Sequence, residues 1–348
     1  MKVLHVISSL ELGGAQKLIS DLLHVFASRG LDVELLVFQD VQSYLSEKIR
    51  ESGVNIKSLN ESNYSLRLIF KLRKEISKYQ VVHVHLFPTL YWVAIASIGT
   101  KTRLIYTEHS TSNRRRNKSY FRPIERLIYS FYSKVISISE QTQQALLEWL
   151  APQDVSQFVV IRNGIDIEVY KPKNYFIKNN KIIMVSRFAP AKDQETLIKA
   201  MCNVHKDLSL ELVGDGENLE KCKKLSTELG LDNRISFLGS CSNVNELLWD
   251  AKIGVQSSHW EGFGLTAVEM MAAGLPVIAS NVEGLRQVVE GAGLLFNRGD
   301  EVELANKINK LYEDDEFRNS VIEKCEIRSR DYSILRTAQE IMDIYRNV

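Results

Sequence analysis

The chain has 348 residues, of which 25% are charged and 45% hydrophobic, and its formal net charge is +1. This composition is typical of a globular protein and excludes long disordered tracts and fibrous repeats, while the length suffices for about two domains with separate cores. The four cysteines, at positions 202, 222, 241 and 325, share no C-x-x-C spacing, so they predict neither a zinc site nor a disulfide framework and fit a reduced compartment.

The N-terminal segment MKVLHVI is short and β-branched, without the long apolar region and small-residue cleavage site of a signal peptide, and it predicts a first strand. The longest apolar run, residues 90–98, is about half the ~20 residues that a membrane-spanning helix needs. We therefore expect a cytoplasmic protein in which this run is a buried helix.

Short β-branched runs alternate with longer amphipathic segments along the first half of the chain. The candidate strands span residues 3–7, 33–38, 81–85, 104–107, 134–137 and 158–161. Residues 15–28 carry leucine and isoleucine at helical spacing and are followed by Gly30, which predicts a helix between the first two strands. This order predicts a parallel sheet with helices on both faces.

The second half repeats the same order after a polar segment, residues 163–181, which we interpret as an inter-domain linker. The candidate strands span residues 182–185, 208–213, 235–239, 253–256, 276–279 and 293–296, and the candidate helices span residues 194–205, 218–228, 244–250, 265–273 and 284–290. Three further helices, 302–312, 316–330 and 334–346, end the chain. We predict an α/β protein with two doubly wound, Rossmann-like parallel-sheet domains, 1–165 and 166–330.

Ligands of open parallel sheets bind outside the carboxyl ends of the strands, so residues that directly follow strands are the candidates for a site. Gly13 and Gly14 separate the first strand from its helix, where backbone N–H groups and a helix N-terminus favour an anion or a polar oxygen. An ordinary strand-to-helix turn explains the same pair, which matches neither a P-loop nor a G-x-G-x-x-G fingerprint.

Three histidines also lie at strand ends. His83 and His85 alternate along one strand and therefore share a face, and His109 directly follows the next strand. Their spacing is not diagnostic of a metal site. A polar pocket wall with one histidine on the catalytic side, or a set of hydrogen-bonded structural histidines, accounts for them as well.

In the second half, Arg187 follows a strand and Lys192 precedes the next helix. Two cations in such a loop suit a diphosphate, because arginine forms bidentate contacts and lysine supplies a point charge. A solvated surface pair is the alternative. Gly214 and Gly216, after the following strand, indicate only a turn.

The most informative segment is SSHWEGFGLTAVEMMAAGLPVIAS, residues 257–280. Its glycines and the start of a helix supply N–H donors for a phosphate, and Glu261 in the loop can accept hydrogen bonds from sugar hydroxyls. Glu269 lies within the apolar helix, where an ionised carboxylate without partners is costly. It therefore needs either the hydroxyls of a ribose in a cleft or a cationic partner in the core.

Glu261 and Glu269 form an E-x7-E motif that, with the following GLPVI of residues 274–278, resembles the signature of the group 1 (family 4) retaining glycosyltransferases. Further matches follow in order along nearly the whole chain: Gly13-Gly14-Ala15, His109, Asn163-Gly164-Ile165-Asp166, Arg187 with Lys192, and Gly214-Asp215-Gly216. The resemblance implies the GT-B fold, two Rossmann-like domains facing across a cleft, with residues 331–348 crossing back onto the first domain.

The resemblance also implies roles for the matched residues. Arg187 and Lys192 would hold the diphosphate of a UDP- or GDP-sugar and Glu269 its ribose, while Glu261 would hold the hydroxyls of the transferred sugar. Gly13 and Gly14 would lie against the diphosphate, and His109 would line the sugar side of the cleft. Backbone N–H groups that would contact the phosphate or the sugar belong to Gly262, Phe263, Gly264 and Leu265. The predicted catalytic set is Glu261, His109, Arg187 and Lys192.

The implied reaction retains the anomeric configuration through an oxocarbenium-like ion pair, and the two cations and the helix N-terminus would stabilise the departing diphosphate. The sequence contains no Asp-x-Asp pair, so we expect neither an essential metal nor a cofactor besides the donor substrate. The chain departs from the usual family pattern at Gln16, Ser186, Asp193, Met270 and Gln287. These departures leave the base and the sugar open.

Two segments of the first half combine cations with aromatic and aliphatic side chains. Residues 101–134 hold nine lysines and arginines against two glutamates, including the run at 114–116, and residues 66–78 hold five more cations. Such segments favour an anionic membrane surface as a partner, although a solvated helix face has the same composition. No recognised module accompanies them that would predict nucleic-acid binding.

We therefore expect a retaining, metal-independent hexosyl- or N-acetylhexosaminyltransferase that acts on a glycan or lipid-linked acceptor. Its pathway would be the synthesis of cell-surface polysaccharide or glycolipid, such as capsule or lipopolysaccharide, at the inner face of the membrane. The alternatives are a nucleotide-sugar epimerase of the same fold and a non-catalytic nucleotide-sugar-binding subunit. The second alternative predicts loss of Arg187, Lys192 or Glu261, and all three are present.

Overall fold

The computed structural model describes residues 1–11, 13–110, 115–116, 118–172 and 179–348. The chain divides into two compact units, unit 1 with residues 1–164 and 334–348, and unit 2 with residues 165–333. The chain leaves unit 1 before Ile165 and returns before Ile334, whereas the predicted boundaries follow residues 165 and 330. Ile165 belongs to unit 2 because its N–H donates to the carbonyl of Tyr332 at 2.8 Å.

Unit 1 contains a parallel sheet of seven strands in the order β3-β2-β1-β4-β5-β6-β7. The strands are β1 (Lys2–Ile7), β2 (Asp32–Val37), β3 (Asn55–Ser58), β4 (Val81–His85), β5 (Arg103–Glu108), β6 (Tyr132–Ser137) and β7 (Phe158–Val160). The helices between them are α1 (Gly14–Ser28), α2 (Tyr44–Glu51), α3 (Arg67–Ile76), α4 (Thr89–Ala96), α5 (Phe121–Tyr129) and α6 (Glu140–Leu150).

Unit 2 contains a second parallel sheet, of six strands in the order β10-β9-β8-β11-β12-β13. Its elements are α7 (Ile167–Tyr170), β8 (Lys181–Val185), α8 (Gln194–Ala200), β9 (Ser209–Val213), α9 (Leu219–Glu228), β10 (Ile235–Gly239), α10 (Val244–Asp250), β11 (Ile253–Gln256), α11 (Leu265–Ala272), β12 (Val277–Ser280), α12 (Glu283–Val289), β13 (Leu294–Phe296), α13 (Glu301–Glu313) and α14 (Asp315–Ser329). The last helix, α15 (Ile334–Asn347), belongs to unit 1, where it packs on α1.

The core of unit 1 lies on both faces of its sheet, because side chains alternate along each strand. In β1, Leu4 and Val6 point into the cluster covered by α3 and α4, while Val3 and Ile7 point into the cluster covered by α1 and α15. His5 has the same parity as Val3 and Ile7 and is completely buried. The second face therefore places a polar ring in an otherwise apolar layer.

Two parallel sheets with helices between the strands confirm the predicted fold class. Two local predictions are wrong. Strand β3, with the sequence NIKS, is absent from the prediction because it is a polar edge strand that pairs only with β2. The predicted linker is also too long: residues 167–170 form α7, whose Tyr170 is 6% exposed and packed into unit 2.

The apolar run at 90–98 lies largely in α4, which spans eight residues. No helix within the described residues combines the length and the apolar character that crossing a bilayer requires.

The interpretation of residues 114–116 as part of an exposed basic surface is wrong for its two described members, Arg115 and Arg116. Arg114 lies outside the described residues. Arg115 pairs with Glu125 at 2.7 Å and Arg116 pairs with Glu108 at 3.0 Å, and both glutamates are nearly inaccessible to solvent. Two buried carboxylates need cationic or hydrogen-bonding partners, so these arginines stabilise the interior of unit 1.

Candidate functional site

The centre of the candidate site in unit 2 is the point at which the strand order reverses. β8 and β11 are adjacent and parallel, although β9, β10 and three helices separate them in the chain. After β8 the chain continues to β9, which lies towards one edge of the sheet, and after β11 it continues to β12, which lies towards the opposite edge. Such a switch point leaves a crevice at the carboxyl ends of the strands.

Several contacts join the loops that follow β8 and β11, among them two hydrogen bonds and an ion pair. The hydroxyl of Ser257 donates to the carbonyl of Asp193 at 2.8 Å, and the N–H of His259 donates to the carbonyl of Ala191 at 2.8 Å. The third contact is an ion pair between the Nζ of Lys192 and a carboxylate oxygen of Glu261. The predicted diphosphate-binding lysine and sugar-binding glutamate are therefore neighbours.

Both members of this pair are partly accessible, with 24% of the Lys192 side chain and 19% of the Glu261 side chain exposed. The second carboxylate oxygen of Glu261 accepts the N–H of Gly262 at 3.2 Å. Arg187, in the same loop as Lys192, is exposed, and its guanidinium forms no hydrogen bond or ion pair with the described part of the chain. The site thus presents one paired cation and one cation that is open to an anion.

Asp193 replaces the glycine that is usual in the family, and its backbone explains why this is possible. Its φ of 48° and ψ of 51° lie in the left-handed region, which aspartate tolerates better than most residues. The same side chain caps α8, accepting the N–H of Thr196 at 3.3 Å and its hydroxyl at 2.6 Å. Asp193 therefore adopts a backbone conformation that glycine also adopts readily, and it caps α8 as well.

The glycines after β9 are required by close contact with the Arg187 loop. Gly214 has a φ of 131°, and a Cβ there would lie 2.1 Å from the carbonyl oxygen of Ser186. Gly216 has a φ of 149°, and a Cβ there would lie 2.3 Å from the carbonyl oxygen of Phe188. The N–H of Phe188 donates to the carbonyl of Asp215 at 2.9 Å. The sequence indicated only a turn here, whereas the structure shows that this turn supports the arginine loop.

Two further glycines hold the loop of Glu261. Gly264, with a φ of 93°, ends the loop and begins α11. A Cβ on Gly284 of α12 would lie 2.2 Å from the carbonyl oxygen of Glu261, so the backbone of Glu261 rests directly on that helix. Phe263 is 3% exposed and its ring packs against Tyr332 at 5.4 Å between centroids, which leaves only its backbone for a ligand.

Glu269 is the fifth residue of α11 and is 5% exposed. Its neighbours Val268, Met270 and Met271 are fully buried. The structure therefore confirms that this carboxylate lies in a buried helix directly after the Glu261 loop. Its assignment to a ribose stays a prediction.

In unit 1, Gly13 and Gly14 begin α1 directly after the β1 loop, and both are exposed. Leu12 lies outside the described residues. Among the described residues, and apart from its chain neighbours and the backbone of α1, no atom lies within 4 Å of the Cβ position of Gly14, so packing against them does not require glycine there. A ligand that approaches the backbone closely would be a reason for glycine at this position.

Four of the five histidines of unit 1 form one hydrogen-bonded cluster that includes two residues the sequence did not indicate, His5 and Tyr345. His5 lies opposite His83 in the register of β1 and β4. The Nδ1 of His5 is 3.0 Å from Nε2 of His85, and the Nδ1 of His85 is 3.4 Å from Nε2 of His109. Alternation along the strand, with His5 on the same face as Val3, was the available signal for His5.

Tyr345 of α15 joins this cluster to His83. Its hydroxyl is 3.1 Å from Nε2 of His5 and 2.6 Å from Nδ1 of His83, whose Nε2 is 2.7 Å from the hydroxyl of Thr107. The three strand histidines and Tyr345 are at most 1% exposed. No sequence signal connects a tyrosine in the last helix to the first strand.

Burial keeps these rings neutral. It lowers the pKa of His5 to about 3 and that of His109 to about 4, because a charged imidazolium loses its hydration there. Burial also lowers the pKa of His83 and of His85 well below the usual range, and the neighbouring histidines add to the effect.

Ligand atoms of His5, His83 and His85 lie within 4.8 Å of one another, which is the arrangement a metal ion would need. His5 thus takes the place that the sequence gave to His109 in a possible metal set. Each ring nitrogen of these three histidines already has a hydrogen-bond partner. A metal ion would have to replace several of those bonds.

Two family models match the chain in succession. The model "Glycosyltransferase Family 4" matches residues 12–169, and "Glycosyl transferases group 1" matches residues 166–328. The crystal structure of HepE from Anabaena, in complex with UDP and glucose, covers 100% of both chains with a TM-score of 0.89 and 25% identity.

Two curated relatives match over nearly their full lengths. An Escherichia coli UDP-Gal:α-D-GlcNAc-diphosphoundecaprenol α-1,3-galactosyltransferase is 24% identical over 99% of this chain and 96% of its own. A Campylobacter jejuni α-1,4-N-acetyl-D-galactosaminyltransferase, which acts on a GalNAc-containing undecaprenyl-diphosphate glycan, is 24% identical over 100% of this chain and 99% of its own. With the two sheets and the motifs at their strand ends, these matches show that the chain belongs to the group 1, family 4 glycosyltransferases of GT-B fold.

Proposed function

We propose that the protein transfers a hexose or N-acetylhexosamine from a UDP-sugar to a lipid-linked glycan, with retention of the anomeric configuration. The observation that carries the proposal is the Lys192–Glu261 pair at the switch point of unit 2, beside the exposed Arg187. The cations of Arg187 and Lys192 suit a diphosphate, and the carboxylate of Glu261 suits the hydroxyls of a sugar. The UDP bound in the HepE structure and the UDP-Gal in the name of the Escherichia coli relative favour uracil as the base.

In this proposal the ammonium group of Lys192 leaves its ion pair with Glu261 and binds the diphosphate of the donor. Glu261 then exchanges an ion pair for hydrogen bonds from sugar hydroxyls, and its backbone stays in place because it rests on Gly284. Arg187 and Lys192 stabilise the charge that develops on the diphosphate as the glycosidic bond breaks. Glu269 holds the ribose, the N–H groups of 262–265 contact the phosphate or the sugar, and Gly13 and Gly14 admit the diphosphate. His109 contacts the transferred sugar.

The two cations can supply this charge stabilisation without a metal ion, so we propose a metal-independent reaction. The described residues of the predicted donor site contribute Lys192 and Arg187 for the diphosphate, and the group of three possible metal ligands among the described residues, His5, His83 and His85, lies in unit 1. The departing diphosphate would accept the proton of the acceptor hydroxyl on the same face, which accounts for retention.

A panel of UDP-, GDP- and ADP-sugars, with and without EDTA, tests the donor. We expect only the UDP-sugars to protect the protein against thermal unfolding, since a ligand at 100 times its Kd stabilises the folded state by about 2.7 kcal/mol. EDTA should not change the rate of transfer. Protection by GDP-sugars alone would contradict the choice of base, and failure of every donor would contradict the function.

Replacing Glu269 by Gln should weaken UDP binding about 10- to 100-fold, because hydrogen bonds to a charged acceptor contribute ~1.5–3 kcal/mol. Isothermal calorimetry with UDP measures this loss. The matched control is Glu211→Gln, a second buried glutamate of unit 2, which pairs with Lys181. Unchanged UDP affinity in Glu269→Gln would return this residue to a purely structural role.

The membrane-facing part of the proposal rests on α3, α4 and α5, which are neighbours in unit 1. Leu66 and Phe70 are one helical turn apart and are 72% and 77% exposed, and Leu127 of α5 is 62% exposed. Arg67 and Lys74 are exposed beside them. Apolar side chains among cations favour the headgroup region of an anionic bilayer.

We expect the protein to float with anionic vesicles at low salt and the double variant Phe70→Ser, Leu127→Ser to lose most of this binding, because it loses the apolar contacts. Ile327→Ser, which is 57% exposed on α14 of unit 2, is the matched control. Arg115 and Arg116 are unsuitable for this test because they form internal ion pairs. Absence of flotation, or equal flotation of both variants, would contradict a membrane partner.

A further inference from the structure

The hydrogen bonds of the histidine cluster form one unbranched chain, which we call the relay. Its members are, in order, Thr107, His83, Tyr345, His5, His85 and His109. The relay is drawn from three strands and from α15, and it runs from the interior of unit 1 to the residue after β5. The proposed mechanism uses only its last member.

Neutral imidazoles give such a chain a single direction. Each neutral ring has one nitrogen that donates and one that accepts, and a hydroxyl donates one hydrogen bond. If one ring were reversed, two N–H groups or two lone pairs would face each other in the interior, and a buried donor without an acceptor costs ~1–3 kcal/mol. The geometry therefore allows two arrangements, in which all four histidines carry their proton on Nδ1 or all four carry it on Nε2.

The inner end selects between these arrangements. Thr107 is 5% exposed, and the only hydrogen-bond partner of its hydroxyl within the described residues is Nε2 of His83. If His83 donated to Thr107, the threonine hydroxyl would lack an acceptor in that interior. When Thr107 donates instead, every donor from Thr107 to His85 has an acceptor, and all four histidines carry their proton on Nδ1. The remaining donor, the Nδ1–H of His109, belongs to a ring that is only partly buried.

We propose that His5, His83, His85 and Tyr345 are positioning residues that place the proton of His109 on its Nδ1. His109 then meets the substrate as a hydrogen-bond donor of fixed polarity, and not as a general base. This inference rests on the proposed function, in which His109 contacts the transferred sugar. The partner of its Nδ1–H is accordingly an oxygen of that sugar.

Nitrogen-15 NMR of histidine-labelled wild-type protein tests the relay without any variant, because protonated and unprotonated ring nitrogens have well-separated resonances. We expect His5, His83, His85 and His109 to show one common Nδ1–H tautomer, and His24, which is exposed, to show the mixture of a solvated ring. An Nε2–H tautomer or a charged ring at any of the four positions would overturn the inference. So would a stoichiometric shift of their signals on addition of Zn²⁺, which would indicate a metal site.

Two substitutions of His109 test the polarity in the reaction. The amide nitrogen of asparagine lies near the position of Nδ1 and that of glutamine near Nε2, so His109→Asn should retain at least tenfold more transfer than His109→Gln. His24→Gln, on the surface of α1, is the control and should match the wild type. Greater activity in His109→Gln would overturn the inference. If no donor supports transfer at all, the proposed function fails, while the NMR result still decides the relay.

Discussion

Replacing Glu261 by Gln is expected to lower the turnover of sugar transfer by about 10²–10³, the range found when one preorganised electrostatic contact to a transition state is removed. The substitution keeps the size of the side chain and the loop that rests on Gly284. It removes the charge that pairs with Lys192 and one of the two oxygens that accept from the sugar. Donor binding should be weaker but detectable, because Arg187 and Lys192 still hold the diphosphate.

Steady-state kinetics with the best UDP-sugar of the panel, together with calorimetry of donor binding, separates the two effects. Glu195→Gln is the matched control, since Glu195 forms an exposed ion pair with Lys221 at 2.6 Å in the same unit. Full turnover in Glu261→Gln would refute the assignment of Glu261. Loss of donor binding without loss of turnover at saturation would assign it to binding alone.

The folded protein is expected to lose up to about 6 kcal/mol of stability between pH 7 and pH 5 from three buried histidines. His5, His83 and His85 are at most 1% exposed, and burial lowers the pKa of each, that of His5 to about 3. The unfolded chain, with an ordinary histidine pKa near ~6.5, takes up protons that the folded chain does not.

The sign follows from this difference. Above the unfolded pKa both states are neutral and no stability is lost. As the pH falls towards the folded pKa, only the unfolded chain takes up protons, and the loss reaches up to about 2 kcal/mol for each histidine by pH 5. Burial raises the pKa of Glu108, which acts in the opposite sense, but this is one group against three. Typical domains are stable by ~5–15 kcal/mol, so unit 1 should approach its unfolding midpoint near pH 5.

Urea denaturation at several pH values measures this loss. Trp92 and Trp149 report on unit 1 in a Trp249→Phe, Trp260→Phe background, because the other two tryptophans lie in unit 2. His83→Gln should reduce the slope by up to about 1.4 kcal/mol per pH unit, while the exposed His24→Gln should leave it unchanged. A free energy of unfolding that is flat from pH 7 to pH 5 would contradict the neutral buried histidines.

Much of the fold and part of the site could be predicted from local sequence. Strands such as β4 and β11 fall at their predicted positions because a β-branched run bounded by polar residues has few alternative structures. The loop positions of Arg187, Lys192 and Glu261 then follow from the rule that parallel strands place their carboxyl ends on one edge. Strand β3 was not predictable in this way, since three of its four residues are polar and it acquires strand structure only by pairing with β2.

The sequence did not show which groups the charged side chains contact in the folded protein. The arginine run at 114–116 has the composition of a membrane-binding segment, yet Arg115 and Arg116 are bound to two glutamates that folding buries. Asp193 departs from the family pattern, but it has a left-handed backbone conformation that glycine also adopts, and its side chain caps α8. In both cases the outcome depends on which groups lose contact with water and which partners then lie within reach.

The sequence by itself determined the family, the two alternating α/β halves and the identity of the charged residues at the strand ends, because these depend on periodicity and on short motifs. Only the tertiary structure decided that Lys192 pairs with Glu261, that Gly284 carries the backbone of Glu261, and that Tyr345 joins His5 to His83. Each of these contacts links residues far apart in the chain, up to 340 positions for His5 and Tyr345. Their proximity follows from sheet order and helix packing, which no local pattern encodes.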